Sequence, residues 1–135
     1  MVEKLRSDDV IGELQFWCHG GAGGHVCCGD TYMPPAALAQ LKRFTRPHSR
    51  VWFRTCSTLA DSDELEGCSP GPTATAWAEE VRREGGFGVV AGHTVPIGNG
   101  RHSSLYAYTA GGWLGPEADE GRPDAALHHY CPSLE

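Results

Sequence analysis

The chain has no run of about eighteen apolar residues, the length needed for a membrane span, and no basic cluster of the kind that tracks nucleic-acid phosphates. Its 11 Lys and Arg are scattered among 17 Asp and Glu, for a formal net charge of −6. Nucleic acid and membrane are therefore excluded as expected partners. Its first residues, MVEKLRSDDV, carry charges with no apolar stretch behind them, so the sequence lacks a recognisable signal peptide. The 6 cysteines are accordingly read as reduced thiols in a cytoplasmic protein rather than as a secreted disulfide framework. Regular Cys-x-x-Cys pairs are absent too. Cys18, His19, His25, Cys27 and Cys28 crowd ligand-type side chains into a short stretch, but adjacent Cys27 and Cys28 on a strand face opposite ways. No metal and no cofactor is expected.

What is present fits one domain. The length of 135 residues is enough to close a single hydrophobic core. Three apolar stretches read as buried strands: Glu13 to Cys18, Val51 to Cys56, and Phe87 to Ala91. A weaker strand runs from Ser104 to Thr109, and HVCCGDTYM, with Gly29-Asp30 as turn chemistry, suits a short hairpin. Pro34-Pro35 open a helix carrying Leu38, Leu41 and Phe44. A second helix spans about Thr73 to Arg83, with Trp77 and Val81 on one face, after an exposed acidic loop from Asp61 to Pro72. Trp17, Trp52 and Trp77 are expected in the core.

Strand, helix, strand, helix, strand is the order of a mostly parallel α/β sheet with helices packed on it. Ligands of such sheets lie beyond the carboxyl ends of the strands. The residues there are His19-Gly20, Cys56-Ser57 and His93-Thr94. A thiol nucleophile needs a neighbouring base and nearby N–H groups for an oxyanion, and His19 and Cys56 supply the first two parts. Arg54 and Cys56 alternate onto one side of their strand, which makes Arg54 either a substrate-binding cation or the partner of a loop carboxylate. Ser57 and His93 are further substrate-binding candidates, although a sheet-end turn role suits His93.

LQFWCHGG followed by VWFRTCS resembles the caspase-like clan of cysteine peptidases. HGGAGGHVCCGD, RTCSTLA, the helix with AWAEE, and VVAGHT are similar to bacterial caspase-like domains. The resemblance runs from about Gly12 to Thr94. It implies a caspase-like fold over residues 1–115, lacking the clan's usual leading strand-helix-strand unit, with an irregular acidic tail over 116–135. It also implies a cysteine hydrolase acting on a peptide or protein, with His19 as base, Cys56 as nucleophile and Gly20 donating to the oxyanion. Thr55-Cys56-Ser57 stands where caspases carry Gln-Ala before the cysteine. A second function class follows from the missing leading unit: a non-enzymatic module that binds a partner, or a second copy of itself, through an open sheet edge.

Overall fold

The computed structural model describes residues 4–96 and 105–115. The expected tail over 116–135, with His128, His129 and Cys131, lies outside the described residues. The strands are β1 (Glu13–Phe16), β2 (His19–Gly21), β3 (His25–Cys28), β4 (Thr31–Tyr32), β5 (Arg50–Phe53), β6 (Val89–His93), β7 (Leu105–Thr109) and β8 (Gly112–Leu114). One α-helix, α1, spans Pro72–Gly85, and a 3-10 helix spans Pro35–Phe44.

The main sheet has the order β1-β5-β6-β7-β8. β1, β5 and β6 run parallel, while β7 and β8 are antiparallel to their neighbours. The chain is thus α/β, but its sheet is mixed rather than mostly parallel. The tight link Ala110-Gly111 between β7 and β8 forces antiparallel pairing, because a parallel return requires a long crossover. A second, three-stranded antiparallel sheet, β2-β3-β4, follows β1.

Both crossovers step the same way across the sheet, from β1 to β5 and from β5 to β6. Right-handed crossovers that advance in one direction must lie on one face. The packing agrees: Leu38 and Leu41 of the 3-10 helix and Trp77, Ala78 and Val81 of α1 share one core with Val51, Phe53 and Val90. Alternation along the strands turns Trp52, Val89, Ala91, Leu105 and Ala107 to the other face, where they form a second cluster.

The Pro35–Phe44 helix is 3-10 along its whole length, and the sequence carries the reason. Its buried residues Pro35, Leu38, Leu41 and Phe44 recur every third position. At 3.0 residues per turn they fall on one line, whereas an α-helix would wind them away from the sheet. α1 is longer than expected from sequence. Gly71 at its N-cap gives no side-chain bond, and the Asp61 carboxylate instead accepts from the N–H groups of Ala74 at 2.8 Å and Thr73 at 3.3 Å. Asp61 thereby both caps the helix and anchors the start of the acidic loop. At the other end Gly86 adopts φ 72°, the left-handed cap that glycine tolerates.

Candidate active site at the carboxyl ends of the parallel strands

β1 and β5 are in register through Phe16 opposite Phe53, whose rings stack at 5.1 Å and 6°. The ladder continues one step beyond, with the Arg54 N–H donating to the Phe16 carbonyl at 2.9 Å. The two chains therefore leave the sheet side by side, one toward His19 and the other toward Cys56.

They meet at Gly20. A methyl group placed on Gly20 would stand 2.5 Å from Thr58 Oγ1, 2.8 Å from Thr55 Cβ and 3.0 Å from the Cys56 carbonyl oxygen. Only glycine lets the backbone beside His19 approach the cysteine turn this closely. The contact belongs to Gly20: the ladder pairs Gly20 with buried Val26 on one face of the small sheet and His19 with Cys27 on the other, where the His19 side chain is exposed.

The Cys56 turn is held from several sides. Ala60 N–H donates to the Ser57 carbonyl at 2.9 Å, and the Thr55 and Thr58 hydroxyls are hydrogen-bonded to each other. Ser57 N–H donates to Val95 O and Leu59 N–H to His93 O, tying the turn to β6 and its extension. Gly23 and Gly24 N–H groups donate to Ala60 O and Thr58 O, tying it to the β2–β3 loop. Ser57 has φ 54°, and it is the one non-glycine residue in the left-handed region among the described residues. Backbone in that region is held there by its surroundings and is found disproportionately at functional sites. Thr55, Ser57 and Thr58 are buried, whereas Cys56 between them stays partly exposed. Cys56 is thus the more exposed member of a buried turn.

The other residues singled out from sequence fall in different places. Ser57 Oγ donates to Glu66 Oε1 at 2.7 Å and its N–H is committed to Val95, so this residue shapes the turn from within. His93 is 1% exposed, with Nε2 accepting from the Trp52 indole N–H at 3.2 Å. The two rings lie 6.2 Å apart within the buried sheet. Arg54 is sandwiched between the Trp17 ring, 3.7 Å away, and the Trp52 ring, 4.3 Å away, and donates to Gln15 Oε1 at 3.3 Å. No carboxylate pairs with it among the described residues. Trp17 itself is 69% exposed, not in the core as expected. β1 ends at Phe16, so Trp17 is free of the strand alternation and serves as the outer plate of this cation–π stack.

The cysteine-rich segment divides between the two faces of the small sheet. Cys27 Sγ lies 3.1 Å from His25 Nε2, and the His25 ring stacks on Tyr32 at 5.1 Å. Cys18 Sγ lies 2.7 Å from Cys28 Sγ. By sequence these residues read only as possible metal ligands; the overlooked signal is that positions 25 and 27 share one strand face. No three His, Cys, Asp or Glu side chains converge to hold a metal ion among the described residues.

A cleft of about 790 Å³ lies at the amino ends of β5 and β6, lined by Pro47, His48, Gly88 and Val89. It is at the opposite end of the parallel strands from His19 and Cys56, away from where such sheets bind their ligands. A smaller apolar cavity of about 520 Å³, lined by Phe16, Cys28, Met33, Leu38 and Leu41, adjoins the carboxyl end of β1. No helix among the described residues is long and apolar enough to cross a membrane. No family model, curated protein or solved structure matches the chain.

Proposed function

We propose that the protein is a caspase-like cysteine hydrolase acting on a peptide or protein, with Cys56 as nucleophile and His19 as general base. One observation supports the reading: Gly20, directly after His19, packs against the turn that holds Cys56, where the chains leaving two parallel strands in register meet. In the reaction His19 takes the Cys56 proton, and the sulfur attacks the amide carbon. The tetrahedral oxyanion accepts from the Gly20 N–H. Collapse breaks the C–N bond, and the departing amine takes the proton from His19. Water, deprotonated by His19, then attacks the thioester, releasing the acid and restoring the thiol. Arg54, stacked between two indoles on the same edge, is a rim cation whose remaining N–H groups suit an acidic group of the substrate.

A second reading has its own support. β1 is the outer strand of the main sheet among the described residues, and an outer strand offers unpaired backbone groups to a partner or a second copy of the chain. An electrophilic probe for cysteine hydrolases separates the two. The enzyme reading expects covalent labelling of the wild type at Cys56, and none at that position in Cys56→Ser. Equal labelling of folded and unfolded chain, together with a dimer by light scattering, favours the binding module.

A further inference from the structure

Cys18 and Cys28 occupy corresponding positions on the two arms of the β2–β3 hairpin. The ladder pairs His19 with Cys27, Gly20 with Val26 and Gly21 with His25, so the next pair outward is Cys18 with Cys28. Directly opposed residues of an antiparallel pair have Cβ atoms about 4.5–5.5 Å apart, close to the separation that a disulfide spans. The two sulfurs are already 2.7 Å apart. We propose that Cys18 and Cys28 are a redox modification site, which peroxide converts to a disulfide that closes the mouth of the hairpin carrying His19.

The environments of the two thiols divide the labour. Cys28 is exposed, whereas Cys18 is partly buried and packs against the main core. Burial, followed by the hydrogen bond with Cys28 and the nearby Cys28 and Cys27 sulfurs, pushes the Cys18 thiol up to about 12. Cys18 therefore stays protonated at neutral pH, and Cys28 is the sulfur that meets the oxidant. The Cys28 thiolate attacks one peroxide oxygen. An S–O bond forms, the O–O bond breaks, and hydroxide leaves; the sulfur is oxidised to a sulfenic acid and the peroxide is reduced. The Cys18 sulfur then attacks the Cys28 sulfur, the S–S bond forms, and the hydroxyl leaves as water with the Cys18 proton. Formation of the bond follows from the hairpin alone. Its consequence for His19, which directly follows Cys18 in the chain, rests on the proposed dyad.

The test is peptide mapping of the full chain after mild hydrogen peroxide. Trypsin releases Ser7 to Lys42 as one peptide containing Cys18, Cys27 and Cys28. The expected peptide has lost two hydrogens, with Cys18 and Cys28 protected from alkylation and Cys27 labelled. The link should form in the Cys27→Ser variant and not in chain unfolded by urea at the same oxidant dose. Oxidised protein should melt about 5 °C or more above the reduced form, and Cys28→Ser should abolish that rise. Alkylation of Cys18 alongside a terminally oxidised Cys28 would overturn the proposal, as would a link made to Cys27. Because mapping reads no activity, an inactive enzyme leaves this result standing, and an active enzyme without the link defeats only this inference.

Discussion

Trp77→Ala is expected to lower the unfolding free energy by about 3–5 kcal/mol, the range for truncating a buried aromatic side chain. Trp77 packs edge-on to Phe53 at 4.9 Å and shares the main core with Leu38, Leu41 and Val26. Its indole is also the floor of the β2–β3 loop. A methyl group at Gly24 would overlap the Trp77 ring, and Gly24 has φ 81°. Losing the ring therefore opens a cavity and removes the surface on which the hairpin rests. The indole N–H is buried without a hydrogen-bond partner among the described residues. Trp77→Phe keeps much of the apolar volume and discards that unpaired donor, so it should cost well under half as much as alanine. Urea denaturation of the three proteins measures both differences. Equal losses for phenylalanine and alanine would show that ring volume is not what supports the loop.

Gly20→Ala is expected to cost about 1–3 kcal/mol and to lower Cys56 reactivity at least about tenfold, because relief of the overlap requires separating the two strands' exits. The three close atoms belong to Thr58, Thr55 and the Cys56 backbone, all within a turn braced by β6 and the glycine loop. Neither side can yield alone. Gly12→Ala is the control, since nothing stands within 4 Å of the methyl it would add. Cys56 alkylation rates and denaturation midpoints of both variants check this. Unchanged reactivity in a Gly20→Ala protein that has lost stability would mean that the strand exits do not set the thiol's environment.

Much of this arrangement was legible in the sequence. β-prone residues at Val51-Trp52-Phe53 identified β5, but the strand ends at Phe53 rather than Cys56, so Arg54 and Cys56 lie beyond it and do not share a strand face. Gly29-Asp30 located the β3–β4 hairpin, whereas the HGG run, read as a glycine-rich turn, is itself strand β2 paired with β3. What misled was local. Leu38, Leu41 and Phe44 read as an α-helical stripe when their uniform spacing of three specifies 3-10 turns. Trp17 read as core because strand character was extended past Phe16, where Cys18 begins the approach to the second sheet. Other features depend on tertiary contacts that no spacing reveals. Arg54 found two indoles, His93 was buried against Trp52, and Asp61 capped a helix that begins 11 positions later. The mixed character of the sheet was available in principle, since two residues between β7 and β8 cannot support a parallel return.

Whether His19 activates Cys56, as proposed, is read from the rate of iodoacetamide alkylation at Cys56 near neutral pH, followed by peptide mapping in wild type and His19→Ala. An isolated thiol is only a few per cent thiolate at pH 7, so a base beside it has room to raise the rate. Cys56 is expected to alkylate about tenfold or more faster in the wild type than in His19→Ala, with Cys68, an exposed thiol, labelled equally in both as an internal standard. Identical Cys56 rates in the two folded proteins would contradict it.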